Sequence, residues 1–490
     1  MLDAVVVGAG PNGLSAAITL ARAGRSVRVL EASETLGGGV RSAALTLPGF
    51  VHDVCSAVYP MGVGSPFFRT LPLRAHGVEW VEPELPLAHP LDGGRAAALH
   101  GTLAATAAAL GEDGAAHARI FRDLTARWQA LTPDQRPREG ALPATGQAQG
   151  PRASLWRAFR PTPALLRTLF TALRPAGGLA RGAFRTEEAR ALLGGLAAHG
   201  VQPLDRMGTG GFALTLGAAA HAVGWPLVRG GAQKLADALA EILRHHGGSI
   251  ELGRPVRALG ELPPARVVLL DVSPSALLRL AGARLSAGYR RALRRFRRGP
   301  AAFKIDYALD GPIPWQAAPC RRAGVVHVGG SLDEIERALD DAWRGVVPAR
   351  PFVLVAQPSL FDRSRVPAGS DAHTAWAYAH VPLGATADMT DVIEVQLERF
   401  APGFKRRVLA RHVLTPATLE AHDANLEGGD IAGGACDLRQ LLFRPAFRLV
   451  PWATSDPRLF LCSSSTPPGP GVHGLCGHFA ARAALRRLGR

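Results

Sequence analysis

Two short apolar runs on either side of a glycine-rich turn open the chain, and they constrain its fold more than any other feature. Residues 4–7 are apolar and lead into Gly8-Ala9-Gly10-Pro11-Asn12-Gly13. A stretch rich in Ala and Leu covers residues 14–23, and a second apolar run at 26–30 ends in Glu31. Dinucleotide-binding βαβ units have this order of strand, glycine turn, helix, strand and acidic residue. The sequence therefore predicts an α/β fold with a Rossmann-type domain.

The residue types of this unit have separate physical roles. Gly8 permits the tight turn, Gly10 lets backbone N–H groups approach a pyrophosphate, and Gly13 allows the helix to pack closely on the sheet. The pyrophosphate is expected at the helix N-terminus, where unpaired N–H groups favour negative charge. Glu31 follows Gly13 by 18 residues and is expected to accept the ribose hydroxyl groups.

A second glycine cluster indicates which dinucleotide binds. Gly37-Gly38-Gly39 and Arg41 follow Glu31. This pattern resembles the glycine pair and arginine of the large group of FAD-dependent oxidoreductases that includes amine oxidases and carotenoid desaturases. The resemblance implies non-covalently bound FAD, with Arg41 offsetting diphosphate charge or lying near the flavin.

The other end of the chain carries a second flavin motif. Residues 458–462 predict a short buried strand, and a terminal helix is expected from Leu475 onward. The loop between them resembles the C-terminal flavin motif of the phytoene desaturase family, which it matches at Thr466, Pro468, Gly469, Gly471, Gly474 and Gly477. Pro467 stands where that family usually has histidine, and His52-Asp53 stands where its desaturases have aspartate before glycine and proline. The chain therefore resembles the broader phytoene-dehydrogenase-like branch, of the pyridine nucleotide-disulfide oxidoreductase domain 2 type.

These motifs give a set of candidate site residues. The candidate cofactor-binding residues are Gly8, Gly10, Pro11, Asn12, Gly13, Glu31, Ala32, Gly38, Gly39, Arg41, Val256, Gly471, Val472 and His473. His473 and His52 are also the candidate acid–base residues, with a buried histidine held by backbone as the alternative for both. No metal site is predicted, because the five cysteines are scattered and form no CxxC pair.

The flavin motifs also predict the domain organisation. The FAD-binding domain must be discontinuous, because its motifs lie at both ends of the chain. We assign residues 1–75, 225–300 and 435–490 to a Rossmann-type FAD-binding domain of the amine-oxidase-like (GR2) kind, and residues 76–224 and 301–434 to an α+β substrate-binding domain. Residues 132–151 are rich in Pro, Gln and Gly and predict a mobile loop.

The net charge of +16 comes almost entirely from arginine, because the chain has only three lysines. No aromatic–basic module for nucleic acid accompanies it, so no nucleic-acid partner is predicted. Residues 155–170 and 290–298 combine arginine with large apolar residues. Each stretch is either a solvated amphipathic helix or a contact with an anionic membrane. The first strand begins close to Met1 and no twenty-residue apolar run appears, which predicts a cytoplasmic location, with membrane association as the alternative.

The resemblance implies hydride transfer between flavin N5 and a carbon centre, as desaturation or saturation of an apolar, polyene or lipid-like substrate. The chain shows one dinucleotide fingerprint, so oxygen or a quinone is the expected electron acceptor. Two alternatives stay open: an enzyme like the flavin amine oxidases that acts on a biosynthetic intermediate, and a non-catalytic FAD-binding partner protein. The sequence does not decide between a monomer and a homo-oligomer.

Overall fold

A computed structural model describes residues 1–131 and 163–489. The predicted loop at 132–151 lies outside these residues, as does the first part of the 155–170 stretch. Within the described residues, no helix is long and apolar enough to cross a membrane.

The described elements are seventeen α-helices and sixteen strands, apart from short 3-10 turns. The helices are α1 (Pro11–Ala21), α2 (Pro60–Val63), α3 (Leu103–Ala109), α4 (Gly114–Leu131), α5 (Pro163–Leu173), α6 (Ala176–Ala183), α7 (Glu187–Ala198), α8 (Thr209–Val223), α9 (Gln233–His245), α10 (Pro274–Ala281), α11 (Ala287–Arg294), α12 (Leu332–Trp343), α13 (Thr390–Phe400), α14 (Phe404–Arg407), α15 (Pro416–His422), α16 (Leu438–Phe443) and α17 (Leu475–Leu488). The strands are β1 (Leu2–Val7), β2 (Val27–Leu30), β3 (Ser42–Ala43), β4 (His52–Asp53), β5 (Trp80–Val81), β6 (Leu85–Pro90), β7 (Ala96–Leu99), β8 (Leu227–Val228), β9 (Ser249–Glu251), β10 (Ala265–Leu270), β11 (Ala301–Leu309), β12 (Ala323–Val328), β13 (Val353–Ala356), β14 (His373–Val381), β15 (Val408–Leu414) and β16 (Leu459–Leu461).

The glycine turn belongs to a five-stranded parallel sheet with the order β16-β10-β1-β2-β9. β1 and β10 each contain a run of four apolar residues, at 4–7 and 267–270, as expected for strands that are covered on both faces. α1 packs against α9 and α17, and the three helices share one apolar core with β1. α1 begins at Pro11 rather than at residue 14 as predicted, because proline is favoured in the first helical turn.

A second sheet has seven strands in the order β15-β11-β14-β13-β12-β6-β7. β6 is parallel to β12, and the remaining neighbours are antiparallel. Side chains alternate along β11: Phe303 and Ile305 enter a core that includes residues of α13 and α14. Lys304 and Asp306 point to the opposite face, toward the glycine cluster.

The strands of the first sheet fall in the segments 1–75, 225–300 and 435–490, and those of the second sheet in 76–224 and 301–434. The chain is thus an α/β protein with a Rossmann-type unit built from both chain ends and a mixed second sheet. The exact residues at which the two units divide stay a prediction.

Candidate dinucleotide site and active-site cavity

The glycine turn between β1 and α1 is a cradle of bare backbone. Gly8 has a φ of +102°, in the left-handed region that favours glycine, and a Cβ on Gly13 would overlap the carbonyl oxygen of Gly8. Gly10 is the N-cap of α1 and has no side chain to cap the helix, and Pro11 follows it. The buried Oδ1 of Asn12 has no hydrogen-bond partner among the described residues. This geometry suits an anionic phosphate at the helix N-terminus.

Glu31 lies just beyond the carboxyl end of β2, beside the glycine turn. Its carboxylate accepts hydrogen bonds from the N–H groups of Ala9 (2.7 Å) and Ser33 (2.9 Å). Glu31 is buried, whereas its neighbour Ala32 is exposed. The carboxylate is therefore fixed at the position where a ribose ligand is expected.

The second glycine cluster lies directly against the turn. A Cβ on Gly38 would lie 3.2 Å from the Cα of Gly10, whereas a Cβ on Gly39 would meet no atom within 4 Å. The two backbone segments therefore touch at Gly38 and leave open space at Gly39. The backbone at Gly39 is therefore open to a ligand.

Arg41 supplies a buried cation behind this cluster. Its guanidinium donates to the carbonyl oxygens of Thr35 (3.0 Å) and His422 (3.2 Å) and lies 3.5 Å from the Glu31 carboxylate. Its Nε is buried and finds no acceptor in the described part of the chain. Arg41 therefore retains a free donor beside the cradle.

The remaining predicted cofactor residues come from distant segments. The N–H of Arg254 donates to the Glu31 carbonyl (2.7 Å), which brings Val256 to the ribose side of the site. Gly471 is exposed, and Val472 packs against the core of the first sheet. This loop precedes α17, in which a Cβ on Gly477 would overlap the Asn12 carbonyl. The two ends of the chain therefore meet at the turn.

His473, a candidate acid–base residue, is buried at the start of α17. Its Nδ1 accepts a hydrogen bond from the Leu475 N–H (3.0 Å), and its carbonyl accepts one from the Ser65 hydroxyl (2.6 Å). Burial lowers the pKa of His473 to about 4. The ring is neutral near pH 7 and holds the loop against the helix, which is the structural alternative given above.

His52, the other candidate, lies on β4 under the second sheet. Its Nε2 is 2.8 Å from the Thr46 hydroxyl, and its Nδ1 is 3.8 Å from a carboxylate oxygen of Asp306. Burial, with the nearby charges of Lys304 and Arg365, lowers the pKa of His52 to about 3. His52 is therefore neutral and borders a buried ion pair.

That ion pair, Lys304 with Asp306, was missed from the sequence. The Lys304 ammonium bonds the Asp306 carboxylate and lies 5.6 Å from the centre of the Trp376 ring. Burial raises the pKa of Asp306 to about 6. A signal was available, because Lys304 is one of three lysines and stands with Asp306 among aliphatic and aromatic residues in a single strand.

Two further buried carboxyl groups also escaped the sequence analysis. Asp271 follows β10 and accepts a hydrogen bond from the Gly13 N–H (2.8 Å). Burial is the main cause that raises the pKa of Asp271 to about 8, and the charges of Asp423 and Glu31 add to it. The Asp423 carboxylate in turn lies 3.5 Å from the position of a Cβ on Gly38. Both side chains face the cradle from segments remote in sequence.

We infer a cavity between the glycine cluster and the second sheet from the side chains that lie there. Cys55, Tyr378 and Asp423 each keep part of their surface exposed, and the Ser56 N–H next to Cys55 donates to the Gly39 carbonyl (3.1 Å). Cys55 and Tyr378 belong to one apolar cluster, and the Tyr378 ring stacks on Trp376 with centroids 5.6 Å apart. The Lys304–Asp306 pair lies on the same face of the sheet, because Lys304 pairs with Tyr378.

Comparisons with known proteins agree with this geometry. Residues 6–71 match the family model of the NAD(P)-binding Rossmann-like domain. Pyridine nucleotide-disulfide oxidoreductase domain-containing protein 2 of Rattus norvegicus is 28% identical, over 99% of this chain and 94% of that protein. Hydroxyneurosporene desaturase of Cereibacter sphaeroides is 32% identical over 56% of this chain and 57% of its own length.

Solved structures extend the likeness to the whole fold. Putrescine oxidase bound to putrescine aligns with a TM-score of 0.60 at 18% identity, covering 100% of this chain and 99% of that chain. The full-length alignment includes the second sheet as well as the Rossmann-type unit. The chain is therefore homologous to pyridine nucleotide-disulfide oxidoreductase domain-containing protein 2 and to hydroxyneurosporene desaturase, and it shares the fold of putrescine oxidase.

Proposed function

We propose that the protein binds FAD non-covalently and transfers hydride between flavin N5 and a carbon centre of an apolar, polyene or lipid-like substrate. The observation that carries the proposal is the arrangement of the stacked Trp376 and Tyr378 rings and the buried Lys304–Asp306 pair on one face of the second sheet, where Tyr378 shares an apolar cluster with Cys55. Similarity to a carotenoid-type desaturase supports the substrate class.

The residues of the cradle fit FAD. The N-terminus of α1 and the free donor of Arg41 would hold the pyrophosphate, and Glu31 would accept the ribose hydroxyl groups. When bound, FAD supplies the hydride-transfer chemistry at N5. The loop at Gly471 would close the flavin end of the site, next to the N-terminus of α17.

The wall of the cavity would orient an apolar substrate and exclude water. Trp376 contacts Ala57 and packs beside Val58, so this part of the wall offers no charge. Asp306 bonds the Lys304 ammonium, which lies 5.6 Å from the centre of the Trp376 ring. Lys304 is therefore our proposed proton-transfer residue at the cavity. Oxygen or a quinone is the proposed acceptor.

An amine substrate is the second candidate. The stacked Trp376 and Tyr378 rings could receive a cationic amine on their faces, and the fold matches that of putrescine oxidase. The third possibility is a flavoprotein without turnover, and it predicts a different result from either enzyme. Such a protein would bind FAD, and neither kind of substrate would reduce it.

A Lys304→Met variant tests the proposal. We expect purified wild-type protein to carry the absorption bands of oxidised flavin and to be reduced anaerobically by an apolar polyene or lipid. Lys304→Met should keep its flavin and lose reduction rate by about 10²–10⁴-fold, the range of a positioned proton-transfer group. Stopped-flow absorbance measures both quantities.

Lys405→Met on the surface helix α14 is the matched control and should reduce at the wild-type rate. Protein that neither carries nor takes up FAD would contradict the proposal. Reduction by amines alone would favour the second candidate, and FAD binding without reduction by either class would favour the third.

A further inference from the structure

The segment 442–450 exposes large apolar side chains to solvent. Phe447 is 77% exposed and Leu449 is 99% exposed, and Leu442 and Phe443 are also exposed. The segment is nevertheless anchored, because Arg444 within it is fully buried and donates to the Gly433 carbonyl (2.9 Å). Surfaces of this kind usually mark a site of interaction.

Helix α5 presents a second exposed apolar row. No residue of α5 is buried, and its exposed apolar residues are Leu166, Leu169, Phe170 and Leu173. Their spacing of three, four and seven residues places them on one face of the helix. None of the four side chains belongs to an apolar core cluster of residues 1–131 and 163–489.

The two rows meet at Met207 and Gly208. The Gly208 N–H donates to the carbonyl of Leu173 at the end of α5 (2.8 Å). On its other side, a Cβ on Gly208 would lie 3.6 Å from Leu438 at the start of α16. Met207 between them is 58% exposed. We call this surface the apolar face, made of Leu166, Leu169, Phe170, Leu173, Met207, Leu442, Phe443, Phe447 and Leu449.

The surroundings of the apolar face are strongly basic. The segments 163–175, 286–296 and 438–453 contain no Asp or Glu. Arg174, Arg439 and Arg448 are exposed within or beside the face. The Arg448 guanidinium lies 5.4 Å from the Tyr289 ring, which joins the arginine-rich helix α11 to the same side of the molecule.

We propose that the apolar face docks the protein on the surface of an anionic phospholipid membrane. Apolar side chains enter the boundary between headgroups and acyl chains, and the surrounding arginines pair with lipid phosphates. A second copy of the chain is a poorer occupant, because a symmetric contact would bring two arginine-rich rims together, and the segments 163–175 and 438–453, which form most of the face, contain no Asp or Glu. This inference goes beyond the proposed function and does not depend on flavin chemistry.

Vesicle co-sedimentation of the protein as purified tests the docking face. We expect binding to vesicles of phosphatidylcholine with phosphatidylserine, weaker binding to phosphatidylcholine alone, and loss of binding as salt rises. Replacing Phe447 and Leu449 together by Ser should weaken vesicle binding about ten-fold or more, because the two large apolar side chains that would be buried in the membrane are then absent. Replacing exposed Val395 and Leu409 by Ser is the matched control and should bind as wild type.

Three results would overturn the proposal. One is equal binding by the Phe447/Leu449 variant and wild type, and another is equal binding to the two kinds of vesicle. The third is self-association in analytical ultracentrifugation that the same variant abolishes while vesicles bind neither protein. Flavin content and substrate reduction are measured separately, so a failed docking test leaves the proposed function untouched.

Discussion

Asp271 shows how a single side chain can make the candidate site depend on pH. Its carboxyl group accepts the Gly13 N–H where a cofactor phosphate is expected. The other charged groups that face it are the carboxylates of Asp423 and Glu31, and burial is the main cause of its raised pKa of about 8. Near pH 7 the group is therefore mostly protonated, which lowers its repulsion of a phosphate.

Replacing Asp271 by Asn should stabilise the protein most at high pH. The folded pKa of about 8 exceeds the ordinary value of 3.8, so folded wild type binds an extra proton between these values and loses stability as pH rises through this window. Asp271→Asn lacks this loss. We expect the substitution to raise the free energy of unfolding by about 1 kcal/mol or more near pH 8 and to change it little near pH 4. Melting temperatures of variant and wild type at the two pH values check this expectation. Asp205→Asn changes an exposed carboxylate and is the control, which should have the same effect on melting temperature at both pH values. An equal rise in melting temperature for Asp271→Asn at both pH values would contradict the explanation.

The residues of the turn could be predicted from the sequence, and Asp271 and Asp423 could not, for one physical reason. Glycines at a turn are required by the local backbone conformation, so their spacing over a few residues is visible in the sequence. A carboxylate that faces Gly13 from 258 residues away depends on how sheets assemble. Such a residue reads from sequence as the polar end of a strand.

At the scale of elements, a buried charge cluster joins the glycine-rich unit to the second sheet's loops. The Arg365 guanidinium bonds Asp53 of β4 (2.8 Å), Asp362 (2.9 Å) and the carbonyl of Val228 in β8 (2.8 Å). Asp53 also accepts the Ala232 N–H at the start of α9 (2.7 Å). The cluster thus fixes three segments that are distant in sequence.

Removing the cation at the centre of this cluster should be costly. Arg365→Met leaves two buried carboxylates without the cation that bonds them both, so we expect a loss of about 3–5 kcal/mol in the free energy of unfolding, measured by urea denaturation. Arg363→Met changes an exposed neighbour and should cost less than about 1 kcal/mol. A loss for Arg365→Met as small as that of the control would show that the two carboxylates take up protons or water instead.

Elements near the motifs were predicted closely, and the second sheet was not. The predicted strand at 458–462 is Leu459–Leu461, and the terminal helix begins at Leu475 as expected. β6 pairs with β12, for example Leu87 with Val325. That pairing joins segments far apart in sequence. Local sequence patterns do not indicate which residues of two such distant strands pair with each other.

At the scale of the whole molecule, the first sheet exists only when both chain ends meet. β16 pairs with β10, and α17 lies on α1. The flavin motifs at both ends predicted this closure, because two parts of one binding site must be adjacent in space. The position of the second sheet over the site follows from packing rather than from any motif.

A substitution at Gly477 tests whether the first sheet depends on close contact between the two chain ends. A Cβ there would overlap the Asn12 carbonyl, so Gly477→Ala must move α17 away from the turn. We expect a loss of about 1–3 kcal/mol, the cost of overpacking, in chemical denaturation, together with weaker retention of FAD. Gly489→Ala is the matched control beyond the other end of α17, because its Cβ would lie 3.6 Å from the Leu485 carbonyl oxygen, an ordinary contact. If Gly477→Ala kept both stability and flavin, the chain ends would not depend on close contact, and the turn would hold its shape without α17.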